Sequence, residues 1–236
     1  MALHRGPKIV TDGLVLCLDA GHKQSYSGSG TTWYDRGGDN IDGTLTNDPT
    51  FSTDAGGCLD FDGVDDYVQR AQGFQIGNVR QKTLEVWLKD WGNGAVLSRT
   101  EHANNYKWQD HFRAASAFMS GSGYGTRYSF PAGGAETAGW HHWVDVCDED
   151  LTATNRVKRY IDGVLISSTS QATDDGSSFY DGSDLYLDIG MMDYGQGGGA
   201  SNFFDGKIAV VRIYNFALSQ SQARANFNAM KSRFGL

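Results

Sequence analysis

Apolar residues in this chain recur at every second position, in short runs, and that period constrains the fold before any other feature does. Leu14, Leu16 and Leu18 form one run, Leu84, Val86 and Leu88 a second, and Leu185, Leu187 and Ile189 a third. Successive side chains of an extended strand point to opposite faces, so a period of two puts each set on one face of a sheet. The first run alternates with Val15 and Cys17 and predicts a strand buried on both faces; the second alternates with Glu85, Trp87 and Lys89 and predicts one apolar and one mixed face. Further strands are expected over residues 59–62, 67–68, 143–147, 157–161 and 208–214. The 31 glycines, against 3 prolines, supply the turns between them. Asp62-Gly63 and Asp162-Gly163 are the clearest, because both residue types tolerate positive φ. Residues 20–57, rich in Gly, are expected to form a long surface excursion.

Helical spacing occurs once. Ser219 with Gln222 three residues on has the capping-box pattern, and Ala223, Phe227, Met230 and Phe234 then fall on one face. That face is expected to dock on the sheets, with Phe227 and Met230 as its anchors. No repeat, linker or low-complexity stretch divides the 236 residues. The chain therefore reads as an N-terminal arm (1–12), a body built of strands (13–218) and a C-terminal helix (219–236) packed on the same body. The fold class is all-β, a two-sheet antiparallel β-sandwich with a short C-terminal α-helix.

Composition removes several classes of function. A net charge of -8 without a cluster of Lys and Arg argues against nucleic acid as a partner. Cys17, Cys58 and Cys147 are odd in number and lack C-x-x-C spacing, so a disulfide framework is not expected. No apolar stretch approaches membrane-spanning length, and Met-Ala-Leu-His-Arg-Gly-Pro lacks the apolar run of a secretory signal; synthesis and folding in a cytosol, without membrane insertion, is the expectation.

Four segments carry a resemblance. They are residues 59–68 (LDFDGVDDYV), 140–144 (WHHWV), 160–164 (YIDGV) and 204–219, from Phe204-Asp205-Gly206-Lys207-Ile208 to Asn215-Phe216-Ala217-Leu218-Ser219. In this order they resemble the laminin G-like domains of the concanavalin A-like lectin/glucanase superfamily, and residues 13–20 (GLVLCLDA) resemble the opening strand of those domains. The resemblance implies a jelly-roll β-sandwich. Residues 13–20 together with Lys231-Ser232-Arg233-Phe234-Gly235 are similar in particular to stand-alone laminin G-like proteins of tailed phages of aquatic bacteria. One departure stands out: the family often carries an acidic residue just after the Gly-x-Ile of the last strand, where this chain has Ala209.

Glucanases of that fold need two carboxylates about 5 Å apart, usually alternating along one strand. Glu85, Glu101, Glu136 and Glu149 are the only glutamates, and none has another two or four residues away, so no catalytic residue is assigned. Asp145, Asp148, Glu149 and Asp150 read as a solvated hairpin tip. His141-His142, between Trp140 and Trp143, read as part of a buried strand with one inward imidazole, without zinc-ligand spacing.

Laminin G relatives frequently bind Ca²⁺, and Asp60, Asp62, Asp65 and Asp66 are the candidate ligands, although no cofactor is required. The plainer account is an Asp-Gly turn whose carboxylates face water or cap backbone amides. For carbohydrate the candidates are Trp33 and Tyr34, and Asn105, Tyr106, Trp108 and His111, because sugar rings stack on aromatic faces while hydroxyls need directional polar partners.

Three functions compete on this reading. The first is a non-enzymatic structural or adhesion protein on a phage virion surface, as capsid decoration or tail-associated protein. Its partners would be the major capsid protein or other virion proteins, together with cell-surface glycans, and it could form a homo-oligomer. The alternative is a carbohydrate-binding lectin module. A glycoside hydrolase or lyase of the same fold comes third.

Overall fold

The computed structural model describes residues 8–38, 40–70, 73–77, 80–90, 92, 94–100, 108–113, 118–119, 138–151, 155–167, 185–193 and 200–236. In chain order the strands are β1 (Leu14–Asp19), β2 (Thr32–Trp33), β3 (Gly43–Thr46), β4 (Thr50–Ser52), β5 (Cys58–Asp62), β6 (Tyr67–Arg70), β7 (Gln81–Lys89), β8 (Ala95–Thr100) and β9 (Trp108–Arg113). They continue with β10 (Phe118–Met119), β11 (Trp140–Asp148), β12 (Val157–Ile161), β13 (Val164–Ser167), β14 (Tyr186–Ile189), β15 (Met192–Asp193), β16 (Ala200–Ser201) and β17 (Asp205–Tyr214). Helix α1 (Gln220–Met230) follows, then a 3-10 turn, Lys231–Phe234.

Two antiparallel sheets stack into a jelly-roll β-sandwich. The eight-stranded sheet has the order β13-β12-β11-β7-β17-β5-β4, with β1 also on β17; the seven-stranded sheet has the order β10-β9-β8-β14-β6-β3-β2. Strand β17 organises the first sheet. Along one edge it pairs with β7, and along the other its first half pairs with β5 and its second half with β1. The changeover falls at Ala209, where the register with β7 slips by one residue and Ala209 O accepts from Ala20 N. Leu16, Leu18, Leu59, Phe61, Leu84, Val86, Leu88, Val211 and Ile213 of this sheet meet Leu45, Val68, Leu187 and Ile189 of the other in one buried core.

The expected alternating strands form where the period places them. Asp162 (φ 51°) and Gly163 (φ 75°) make the two-residue turn between β12 and β13. The Asp62-Gly63 turn does something different, since it carries the chain from β5 in one sheet to β6 in the other. Ser219 caps α1 with both bonds of the capping box in place. Cys17, Cys58 and Cys147 are buried and form no disulfide, and burial pushes the Cys58 thiol up to about 11. Among the described residues no helix is long and apolar enough to cross a membrane.

Two expectations are corrected. Residues 20–57 are no surface excursion: they contribute β2, β3 and β4 and bury Tyr26, Trp33, Ile41 and Leu45. Strands of two to four residues hold too few alternations to reveal a period. Nor is the acidic run at 145–150 wholly a solvated tip. Asp145 is completely buried, because it lies two residues from Trp143 on the inner face of β11, and Arg159 of β12 holds it with two bonds of 2.8 and 2.6 Å while stacking over Trp143. Glu149 is buried as well.

A third layer covers the eight-stranded sheet on its outer side. Trp87, Trp140, Ala209 and Val210 pack there against Phe227, Met230 and Phe234, and Val144, Val146, Tyr160 and Tyr214 against Leu218 and Ala223. Phe234 stacks on Trp87 at 3.9 Å between ring centroids. An acidic side chain in place of Ala209 would be sealed beneath this layer, which accounts for the small apolar residue there.

Candidate functional site

The outer face of the seven-stranded sheet carries a row of polar residues, set by strand register. Thr32 of β2 lies opposite Thr44 of β3, Thr44 opposite Gln69 of β6, Gln69 opposite Asp188 of β14, and Asp188 opposite Ser98 of β8. Their neighbours Leu45, Val68, Ile189 and Leu97 point into the core, so alternation sends the polar set outward. The row grades from open to closed. Thr44 is exposed and Gln69 half-buried, whereas Asp188 and Ser98 are fully buried. Gln69 Nε2 donates to Asp188 Oδ1 at 2.9 Å, and Ser98 Oγ donates to Met191 O at 3.0 Å. Asp188 fixes the amide of Gln69, and that amide and the hydroxyls of Thr32 and Thr44 are the groups that solvent or a ligand can reach. Hydroxyl and amide groups fixed on a flat sheet suit the alternating donors and acceptors of a sugar.

The sequence-proposed carbohydrate residues divide. Trp33 is a correction: its ring is completely buried in the core rather than offered to a ligand, packed where β2 pairs it with Gly43. Tyr34, the next residue, is 51% exposed and remains an available aromatic surface. His111 occupies the register position opposite Ser98 on β9, and Trp108 lies on the same strand opposite Thr100. Asn105 and Tyr106 lie outside the described residues. Thr44, Gln69, Ser98 and Asp188 were not singled out from sequence. Alternation alone marks them as outward-facing, but only the pairing of strands distant in sequence puts them side by side.

The four aspartates proposed as metal ligands also divide. Asp62, Asp65 and Asp66 bring carboxylate oxygens within 4.8 Å of one another. Asp60 does not join them, because it faces Lys207 across the β5–β17 pair, at 3.3 Å. Asp62 Oδ1 accepts from the amides of Val64 (2.8 Å) and Asp65 (3.3 Å), and Asp66 Oδ2 accepts from Asp62 N (3.1 Å). The Val64 amide foremost holds the Asp62 carboxyl below its ordinary range, while burial raises that of Asp66. Calcium takes six to eight oxygens. Three carboxylates, two of them already bonded to backbone amides, fit that requirement poorly.

The outer face of the eight-stranded sheet holds a second polar cluster, this one sealed by α1. Glu85 is completely buried: Arg212 Nη1 donates to its Oε1, His142 Nε2 lies 3.1 Å from the same oxygen, and Asn226 Nδ2 of α1 donates to Oε2 at 2.6 Å. Burial alone would raise the pKa of Glu85, but Arg212 and His142 outweigh it and hold the carboxyl at about 2. His142 is buried as expected of one imidazole between the tryptophans, but on the outer face beneath α1 instead of between the sheets, while His141 Nδ1 meets Asp162 Oδ2 at 2.8 Å. A buried carboxylate saturated by fixed partners is placed for structure rather than for acid–base chemistry. Sequence reasoning read Glu85 only as part of a mixed strand face, since nothing local announces that a helix 141 residues away covers it.

Two stacked antiparallel sheets, one sealed by a terminal helix and one presenting a polar outer face, define a lectin-like jelly-roll domain. The family model Laminin_G_3, described as concanavalin A-like lectin/glucanases superfamily, matches residues 62–224, and the chain belongs to this family. A sequence search of curated proteins finds no match. Among solved structures the chain is similar to domain 4 of AbnA, an extracellular GH43 arabinanase from Geobacillus stearothermophilus, in complex with arabinotriose. That likeness has a TM-score of 0.62 at 18% identity and covers 92% of this chain and 98% of the other. It is similar also to Trypanosoma rangeli sialidase in complex with sialic acid (TM-score 0.64, 17% identity), covering 98% of this chain and 36% of that one. A third likeness is to the botulinum neurotoxin serotype D binding domain (TM-score 0.63, 12% identity), covering 92% of this chain and 52% of that one. At these identities the likeness concerns the fold.

Proposed function

We propose that this protein is a non-catalytic adhesion domain that binds carbohydrate on the outer face of its seven-stranded sheet. The observation that carries the reading is the in-register row Thr32, Thr44, Gln69, Asp188 and Ser98, with the Gln69 amide fixed by the buried Asp188. The similar domain in complex with arabinotriose supports it, as does the exposed ring of Tyr34. The absence of catalysis is inferred from the glutamates: none of the four has another two or four residues away, Glu85 is sealed under α1 and Glu149 is buried. The test is a glycan array followed by calorimetry, with arabinotriose among the ligands. Binding of at least one oligosaccharide is expected, weakened about tenfold by Gln69→Ala with loss of its hydrogen bond. No binding across the array, or release of product from the bound sugar, would overturn the proposal.

A finer reading places the domain on a phage particle, attached to the major capsid protein or other virion proteins. It rests on the phage-type segments 13–20 and 231–235, which meet in the fold: Arg233 Nη1 donates to both carboxylate oxygens of Asp19, at 2.7 and 2.9 Å, and Arg233 Nε donates to Ala55 O. Gly21 follows because any side chain there would collide with the Arg233 guanidinium. The two segments therefore form one structural unit in this chain. Mass spectrometry of purified virions tests the placement, and the protein's absence from them would remove it.

A further inference from the structure

The two ends of the chain meet at one side chain. Val10, in the arm ahead of β1, donates its amide to Asn226 Oδ1 at 2.7 Å, and Tyr214 Oη donates to Val10 O at 3.2 Å. The Asn226 amide nitrogen in turn donates to Glu85 Oε2 at 2.6 Å and to Tyr214 Oη at 3.0 Å. Asn226 lies on α1 and is completely buried, and its carbonyl and both amide hydrogens are thereby used. The arm is thus held much as an added strand would be, one amide and one carbonyl bonded, but by side chains of the helix and sheet instead of by a backbone. Val10 and Leu14 also pack against the cluster containing Leu218 and Ala223. Neither end can leave without breaking bonds made by the other. If α1 lifts, Val10 N loses its acceptor; if the arm lifts, the Asn226 carbonyl is left buried without a donor.

We propose that the N-terminal arm and the C-terminal helix dock as one cooperative strap, coupled through Asn226, so that a pull on or capture of either end loosens the other. Such coupling is reciprocal: the factor by which the docked helix protects the arm equals the factor by which the docked arm protects the helix. What the strap covers is the outer face of the eight-stranded sheet with Trp87, His142, Glu85 and Arg212.

Hydrogen–deuterium exchange on the full chain reads both directions. Asn226→Ala should speed exchange of the Val10 amide at least tenfold. Deleting residues 1–10 should speed exchange along the second half of α1, at Phe227 to Met230, by a comparable factor. Combining the two changes should add little to either alone, because each removes the same coupling. Helix exchange unaltered by the deletion, or additive effects in the combined variant, would overturn the proposal. The deletion arm stands by itself should Asn226→Ala fail to fold, since the sheets lose only the Tyr214 hydroxyl's acceptor and the Val10 contact.

Discussion

On the eight-stranded sheet the outward-facing Glu85, Trp87, His142 and Arg212 are all buried, whereas on the seven-stranded sheet the outward-facing Thr44 meets solvent and Gln69 is half covered. Both faces are built by the same alternation and both carry polar groups, but only that of the eight-stranded sheet sets them among apolar side chains such as Trp87, Val144, Val146 and Val210 that a helix can cover. The difference is the third layer. Once α1 and the Lys231–Phe234 turn cover a face, its charges must be paired, as Glu85 is with Arg212, and its residues become structural. On the other sheet, where Asp188 and Ser98 are buried, Thr32, Thr44 and Gln69 keep polar groups that a ligand can still reach. The contrast supports the proposed recognition on the seven-stranded side.

The contrast can be broken most forcefully at Arg212. Replacing it with methionine leaves Glu85 as a buried carboxylate without its main counter-charge, and removing one partner of a buried pair costs about 3–5 kcal/mol. Thr44→Ala on the open face should change stability by less than about 0.5 kcal/mol. Urea denaturation of the two variants side by side measures the difference, and equal effects would erase the distinction between the faces.

The next largest effect is expected at the aromatic seam. Phe234 is 6% exposed and stacks on Trp87, so Phe234→Ala should cost about 3 kcal/mol through lost burial and a cavity. Phe227, expected from its helical spacing to be an anchor, is only partly buried, with its ring 5.9 Å from that of Trp87. Its truncation should cost about half as much. Denaturant midpoints rank the two, and the reverse order would put the anchor back on the helix instead of the turn that follows it.

Acid sharpens the comparison by a different route. The folded pKa of Glu85, about 2, lies below its ordinary 4.5, so its contribution is fully present above pH 4.5 and is lost as pH falls from there through 2. Stability should therefore decline below pH 4.5, and the slope of that decline should be shallower in Glu85→Gln. Melting temperature between pH 2 and 6 checks this; parallel slopes in the two proteins would show that other carboxylates carry the acid sensitivity.

Much of this architecture is legible in the sequence, and the illegible parts share a cause. Long alternating runs such as Leu84–Val86–Leu88 and the Ser219/Gln222 cap announce their structure locally, because period and capping are properties of neighbouring residues. Trp33 sits in a two-residue strand, where no period can say which side is inward, and it proves to be core. Asp145 looks like one of a run of surface acids until β12 brings Arg159 beside it, and Glu85 looks half-exposed until α1 arrives. The row from Thr32 to Ser98 is assembled from five strands spread over most of the chain. Burial of polar residues and assembly of a site both depend on pairing between distant segments, which local pattern does not encode.

The smallest effect expected is that of calcium, at the Asp62–Asp66 turn between the two sheets. A native-state ligand stabilises in proportion to the logarithm of its concentration over Kd, so a tightly bound ion would raise the melting temperature by several degrees and its removal would lower it. Here Asp62 and Asp66 already accept from the amides of Val64, Asp65 and Asp62, and Asp60 is drawn off to Lys207, so an ion would find few oxygens still to be satisfied. We therefore expect the melting temperature in excess chelator to stay within about 1 °C of its value in millimolar Ca²⁺, the shift a few tenths of a kcal/mol would produce in a domain of this size. A larger loss on chelation, abolished in Asp62→Asn, would show that the turn recruits further oxygens beyond its three carboxylates, and that the junction between the sheets, rather than either face, holds the ion.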